Sequence, residues 1–327
     1  MIRKLFNRMT APAAHEATIF SMDTVMYLSA YGAGAKDAVA AGIKIIDRLN
    51  LLLSLYDPKS DFSRLNAAAS GAEVKLLEDT ADVVRQALYF AWLTEGAFNP
   101  AIAPLAMLWQ AGSGAETIPD PENIRRALAL CDYNAVEYRG GNRFVVHKNG
   151  VKLDLGGIAK GFASQKVMEQ MRALGIRSAY ISLGGNVAVL GKRPDGCDWP
   201  IGIADVDHPD DYFGIVHVRD AYVITSGDYE RYFEQGGVRY HHLLDARTGY
   251  PLRSGLRSVS VIADNGTRAD ALSTALFSMG LEKGLDFQRQ AGNFEAVFVT
   301  DQKNVVCTSG ISDKFEFQGT EKGYTFP

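Results

Sequence analysis

The chain has 327 residues, 47% of them hydrophobic and 22% charged, with a formal net charge of −4. That length and balance suit one large or two modest cores and exclude a disordered chain. The mixed, slightly acidic charge offers no basic footprint for nucleic acid and no Lys/Arg run for an anionic membrane surface.

The opening stretch, MIRKLFNRMTAPAAHEA, has basic residues but no continuous apolar run of the kind that marks a secretory signal. No later segment approaches the roughly 18 apolar residues of a membrane span. A cytoplasmic protein without a membrane anchor is the expectation. The three cysteines, Cys131, Cys197 and Cys307, are odd in number and widely spaced, which argues against a disulfide framework and a zinc site.

Taken in chain order, β-branched and aromatic residues predict an extended segment over Ile19–Tyr31. Val39, Ile43, Ile46, Leu49 and Leu53 follow at helical spacing. A second helix is predicted after Asp79 as N-cap, ending near Gly96, and a third from Pro121-Glu122. From Tyr138 to Lys148 the pattern is β. A turn at Asn149-Gly150 and a run from Val151 to Leu155 predict a hairpin.

A helix carrying Phe162, Val167, Met168, Met171 and Leu174 stops at Gly175. Strands are then predicted at Ala179–Leu183, Trp199–Ala204, Gly214–Val218, Tyr222–Thr225, Arg239–Leu244 and Ser258–Ala263. A helix over Ala269–Met279 is closed by Gly280, and strands Ala296–Val299 and Phe315–Gln318 finish the chain. Strands with helices inserted between them imply an α+β architecture. The best internal boundary is the glycine-rich, polar stretch near residues 112–120.

Six stretches could carry the chemistry. In DLGGIAKG (154–161) the glycines let the backbone touch a ligand, and Lys160 sits at a helix N-terminus, where an anion is favoured. This suggests a phosphate cradle, with a tight strand-to-helix turn capped by Asp154 as the plainer alternative. In TRADALSTALF (267–277), Asp270, Ser273 and Thr274 lie at i, i+3 and i+4 and share one helix face. Such hard oxygen donors suit Mg²⁺, although for this stretch alone an N-capping aspartate with hydroxyls bonded back along the helix is the simpler reading.

In RYHHLLDARTGYPL (239–252), adjacent strand histidines point to opposite faces, so at most one of His241 and His242 serves a given site. GAFNPAIAPLAMLW (96–109), SLGGN (182–186) and ITSGDYERYF (224–233) are turn-rich with aromatics nearby. There is no GxSxG elbow, HExxH or EF-hand loop.

Together and in this order, these stretches, with SMDTVMYL and LSLYDPKSDFSRLN nearer the start, resemble the ApbE family of FAD:protein FMN transferases. The likeness runs over roughly residues 17 to 320. It implies an α+β, T-fold-related mixed sheet core with flanking helices and a smaller α/β lobe. Residues 1–16 would be a tail and 17–327 one domain, with two lobes meeting near 112–120.

The resemblance further implies an Mg²⁺-dependent enzyme that cleaves FAD, attaches FMN to a threonine or serine of a target flavoprotein, and releases AMP. It places FAD contacts at Met22, Tyr56, Ala97, Phe98, Asn99, Asp154, Lys160 and Leu244. The metal falls at Gly157, Asp270 and Thr274 with Ser273 adjacent, and His242 assists proton transfer.

This chain departs from the family pattern at Asp23, where glycine is usual, at Asn99, where aspartate is common, and at Ala246, where proline is usual. An FAD pyrophosphatase releasing FMN and AMP, or a non-catalytic FAD-binding protein, would share these residues. A covalent flavin acceptor is disfavoured because Ser70-Gly71-Ala72-Glu73 and Ser113-Gly114-Ala115-Glu116 carry glutamate where the modified hydroxyl belongs.

Overall fold

The structure, a computed structural model, describes residues 14–110 and 117–326. The boundary expected near 112–120 and the Ser113–Glu116 run fall largely outside these residues. Strands β1 (Ala14–Ser21) and β2 (Thr24–Tyr31) form an antiparallel hairpin, so the extended segment expected over Ile19–Tyr31 is divided in two. The division is at Met22 and Asp23, with φ of 48° and 60°. Two successive left-handed residues match a type I′ turn, whose twist suits a hairpin. Without a glycine there, the sequence gives little sign of it.

Helix α1 (Ala35–Leu53) turns Val39, Ile46, Leu49 and Leu53 into the core, as their spacing predicts. The short α2 (Asp61–Asn66) is capped by Ser60, and β3 (Glu73–Lys75) precedes α3 (Glu78–Leu93). The N-cap of α3 is Leu77 rather than Asp79, which sits in the first turn and pairs with Arg48. Helix α4 (Ala103–Trp109) comes next, followed by α5 (Pro121–Leu128), whose N-cap Asp120 accepts from Glu122 and Asn123.

The predicted hairpin after Tyr138 is corrected. Strands β4 (Val136–Gly140) and β5 (Arg143–Val146) pair with each other across a turn at Gly141-Asn142, and β3 joins β5. The run Val151–Leu155 belongs to no ladder. Its backbone bonds go elsewhere: the Asn66 side chain accepts from Leu153 N at 2.8 Å and donates to Leu153 O at 2.9 Å. Asp154 N donates to Pro100 O at 2.7 Å. A side chain and an unrelated loop thus do the work of a neighbouring strand.

Next come α6 (Ala159–Ala173), β6 (Ala179–Leu183), β7 (Asn186–Leu190), β8 (Trp199–Ala204), β9 (Tyr212–Val218) and β10 (Ala221–Gly227). Strands β11 (Tyr232–Gln235) and β12 (Val238–His241) form a small hairpin, so the strand expected over Arg239–Leu244 stops at His241. The chain continues with β13 (Leu256–Ala263), α7 (Gly266–Met279), α8 (Leu281–Ala291), β14 (Glu295–Thr300), β15 (Val305–Cys307), α9 (Ser309–Ser312) and β16 (Phe315–Phe317).

The main sheet has the order β1-β2-β6-β7-β10-β13-β14-β15. The α+β class is as expected. The core sheet, expected to be mixed, has only antiparallel ladders among the described residues.

Both faces of this sheet are covered, which is why β6 and β7 are buried at every position. Met26, Leu28, Ile181, Ile224 and Val261 face α1, α6 and α7 in the larger core. Tyr180, Val187, Val223 and Ile262, one step out of phase, face a second sheet of order β16-β9-β8 and its Trp199, Phe213 and Val216. A third cluster joins Leu105, Trp109, Ile124 and Phe233, with Tyr240 and Leu244 against it. Trp109 Nε1 donates to Gly249 O at 2.8 Å, tying α4 to the loop after β12.

Candidate active site

Two helices cross where the sequence placed its cradle and its oxygen-bearing face. At the crossing Gly161 of α6 and Gly266 of α7 touch backbone to backbone. A Cβ on Gly161 would overlap Gly266 O and the Asp270 side chain. This close approach lets one Asp270 carboxylate oxygen accept from Gly161 N at 2.7 Å, in the first turn of α6, where amides lack helical partners. The Asn186 side chain of β7 lies near the same carboxylate, but its buried Nδ2 makes no hydrogen bond of good geometry.

One turn further along α7, the hydroxyls of Ser273 and Thr274 meet Ser226 at the end of β10, at 2.8 and 3.2 Å. Ser273 is fully buried and its hydroxyl also bonds the Asp270 carbonyl at 2.8 Å. Its capacity is spent inside the protein. Thr274 is half-buried and faces the glycine turn: a Cβ on Gly157 would lie 3.1 Å from its Oγ1 and 3.2 Å from the Phe98 ring. The predicted residues Phe98, Gly157, Asp270, Ser273 and Thr274 are therefore brought together.

Electrostatics extend the cluster. Burial raises the pKa of Asp270, opposed by Lys160 and then by the Gly161 N–H and the Asn186 amide. Glu230, on the loop after β10, keeps exposed surface yet is crowded by protein, which raises its pKa, with Lys160 and Arg231 opposing and Asp270 adding to the rise. His242 is pushed down to about 3, first by burial, then by His241, Arg231 and Lys160. It is a neutral imidazole at working pH, with Nδ1 3.3 Å from Arg231 O. Asp154, also raised by burial, accepts from Gly156 N at 2.6 Å and feels Arg231. Asp154 and His242 are crowded by protein yet keep some open surface, the condition of groups in a deep cleft.

His241, by contrast, belongs to the core. It is 2% exposed, its Nε2 pairs with Leu252 O at 3.0 Å, and its ring meets Phe277 edge-on.

The remaining predicted contacts form a wider ring. Met22 at the β1–β2 turn is half-buried, its N–H held by Asn50 Oδ1 at 3.2 Å. Its neighbour Asp23 pairs with Arg231 at 3.7 Å. Ala97 is half-buried, and the Asn99 side chain is occupied with Ala101 N and Cys131 O. Leu244 is half-buried beside a bridge to Pro251, and Tyr56 stands 87% exposed with no contact to the Asp270 cluster among the described residues.

Several residues of the site went unread in the sequence. Asn66 positions the Leu153-Asp154 backbone. Asp228 clamps the β10 loop, binding Arg257 at 2.8 Å, while Arg257 also reaches Asp207 at 3.2 Å. The signal that could have found Ser226, Asp228 and Glu230 is their polar run at the end of a β-branched strand.

Among the described residues, no three His, Cys, Asp or Glu side chains gather as a metal cluster. The donors around Asp270 are one carboxylate, two accessible hydroxyls at Ser226 and Thr274, and the Gly157 main chain. This is a hard-oxygen set suited to a small divalent cation that keeps other ligands from water or phosphate.

The ApbE family model matches residues 22–298. A protein of Treponema pallidum named FAD:protein FMN transferase is 36% identical over 285 residues, covering 83% of this chain and 79% of its own. One of the same name from Klebsiella pneumoniae is 34% identical over 290 residues, covering 88% and 90%. The crystal structure of the ApbE protein from Thermotoga maritima superposes with a TM-score of 0.83 at 32% identity, covering 91% of this chain and 98% of that one. The chain belongs to the ApbE family.

Proposed function

We propose that this chain is an FAD:protein FMN transferase. It takes FAD and a target flavoprotein bearing an acceptor Thr or Ser, joins FMN to that hydroxyl through a phosphoester bond, and releases AMP. The observation that carries the reading is the α6–α7 crossing, where Asp270, Thr274, Gly157 and Lys160 converge. The names borne by its relatives support it.

In this proposal Asp270, Thr274 and the Gly157 carbonyl hold Mg²⁺. When bound, Mg²⁺ offsets the pyrophosphate charge and makes the phosphorus easier to attack. Lys160 adds a fixed positive charge beside the same oxygens, in a site where lost solvation strengthens it. Met22, Tyr56, Ala97, Phe98, Asn99, Asp154 and Leu244 bind the rest of the FAD. Positioning does much of the work in such transfers, and the helices α6 and α7 hold Lys160, Asp270 and Thr274.

The acceptor oxygen bonds to the FMN phosphorus as the bond from that phosphorus to the bridging oxygen breaks. AMP leaves with the bridging oxygen. The hydroxyl proton passes to His242, whose neutral imidazole has a lone pair to receive it, and then to solvent. The sequence expectation of a cytoplasmic setting is part of the proposal, and cell fractionation tests it.

The central experiment incubates the protein with FAD, Mg²⁺ and a flavoprotein domain carrying an acceptor Thr, and seeks an FMN adduct by mass spectrometry. An adduct with one AMP per flavin supports the reading. AMP without an adduct makes the protein an FAD pyrophosphatase, and neither product makes it a flavin-binding protein.

A further inference from the structure

Strands β11 and β12 pair with Tyr232 opposite His241, which makes Arg231 and His242 the next pair, just beyond the ladder. The Arg231 carbonyl accepts from His242 N at 2.9 Å and lies 3.3 Å from His242 Nδ1. A carbonyl oxygen has lone pairs and no proton. Nδ1 can therefore meet it only as an N–H donor, because a bare Nδ1 would set lone pair against lone pair. A neutral imidazole carries one ring N–H, so Nε2 is left with the free lone pair. Burial keeps this ring neutral at working pH.

The neighbouring ring is fixed the other way round. His241 Nε2 lies 3.0 Å from the Leu252 carbonyl and so carries the proton, while its bare Nδ1 is buried with no hydrogen-bond partner among the described residues. Two adjacent histidines thus hold opposite tautomers. The lone pair of His241 is sealed in the core, and that of His242 sits on a half-buried ring at the edge of the cleft.

We propose that the Arg231 carbonyl fixes His242 as the Nδ1–H tautomer, leaving Nε2 to receive the acceptor's hydroxyl proton, and that Asp228 is the positioning residue that holds this carbonyl in place. The role of Nε2 rests on the transfer reaction proposed above, whereas the tautomer does not. The Arg231 side chain is a poor anchor for its own carbonyl, since it meets Asp23 at 3.7 Å in a pair of exposed groups, which carries little energy. Asp228, three residues earlier, is held firmly. Its N–H donates to Arg257 O at 3.0 Å, its carboxylate binds Arg257 at 2.8 Å, and Arg239 stands 3.5 Å away. Arg239 belongs to β12, the strand that leads into His242. The loop that offers the carbonyl and the strand that offers the ring are thereby joined a second time, through mostly buried charges.

The test labels the histidines of the full chain with ¹⁵N and correlates ring nitrogens with ring protons by NMR at about pH 7.5. Nε2 is the nitrogen that shares a strong cross-peak with Hδ2, and a bare nitrogen resonates far downfield of a protonated one. The spectrum therefore names the bare nitrogen of each ring. His241→Gln and His242→Asn assign the two sets of signals, each placing an amide nitrogen where the ring N–H stood. His242 is expected to show the downfield shift at Nε2, and His241 at Nδ1. In Asp228→Asn the His242 signals are expected to average between the two tautomers while His241 keeps its own, whereas a general loosening of the fold would move both. The same variant is expected to lose about tenfold or more in kcat for FMN transfer, with the KM for FAD within about twofold.

A bare Nδ1 or averaged signals at His242 in the unsubstituted protein overturns the tautomer. Unchanged His242 signals or an unchanged kcat in Asp228→Asn overturns the positioning role. An unsubstituted protein with a bare Nε2 at His242 that attaches FMN to no acceptor removes the role of Nε2 together with the transfer reading, and leaves the tautomer standing.

Discussion

The Gly161 amide donates to the Asp270 carboxylate at 2.7 Å across two helices that touch at a pair of glycines. The carboxylate thereby satisfies an orphan donor of α6, and its burial makes the charged form costly without a counter-ion. Asp270→Asn keeps an acceptor for Gly161 and removes the charge. FMN transfer is expected to fall by roughly a thousandfold. In the presence of a chelator the variant's Tm is expected to rise, because the raised pKa of Asp270 shows its charge opposing the fold. A lower Tm would show the Gly161 bond outweighing the cost of burial.

The glycine pair itself has no slack. Gly161→Ala forces a methyl group into the Gly266 carbonyl and the Asp270 side chain, so the helices must separate. Overpacking of this kind costs about 1–3 kcal/mol, measurable by urea denaturation. Because Asp270 moves with α7, transfer activity is expected to fall further than the stability loss accounts for. A variant that loses stability but keeps full activity contradicts the link between the crossing and the site.

His241 sets an acid limit on stability. Burial lowers its pKa from 6.5 to about 4. As pH falls through that window the unfolded chain takes up a proton that the folded chain refuses, so stability is lost on acidification. The full effect is worth roughly 3 kcal/mol. His242, at about 3, acts in the same direction, while Asp154 and Asp270, whose carboxyls burial pushes above their ordinary value, act oppositely because the folded chain takes up their protons first. Urea unfolding at about pH 7.5 and pH 5 should show a smaller acid loss in His241→Gln than in the parent, and equal losses would refute the assignment.

Arg257 is the clamp on the loop that carries Glu230 and Arg231. It holds Asp228 through Nε, with both partners mostly buried. Arg257→Ala leaves the mostly buried Asp228 with Arg239, 3.5 Å away, as its remaining partner, a loss of up to about 3 kcal/mol. Adding Asp228→Asn is expected to recover a large part of it. A double-mutant cycle that is strictly additive would show that the pair is not coupled.

The parts of this molecule legible in the sequence are those with a local signature. Helix α7 could be placed because Asp270, Ser273 and Thr274 share a face only at helical spacing. Lys160 could be placed because glycines before a helix announce a close backbone approach. Asn66 could not, since its partner Leu153 is distant in the chain and an Asn in a short helix looks like any other. The misplaced hairpin has the same origin. Val151–Leu155 has the residues of a strand, and only the tertiary fold decides that a side chain and the Pro100 carbonyl satisfy it. The β1–β2 turn was hidden because Met22 and Asp23 adopt a backbone form that usually announces itself with glycine.

Alternation along β10 has a kinetic corollary. Ser226 turns toward the helices and Thr225 toward the smaller sheet, so a donor held at the helix crossing leaves the other face of this strand unobstructed. In the transfer proposed above, donor and acceptor can then be resident at once, and flavin passes directly from one to the other without resting on the enzyme. Initial rates measured over a grid of both reactants should then give intersecting double-reciprocal lines, where parallel lines would mean that AMP departs before the acceptor arrives.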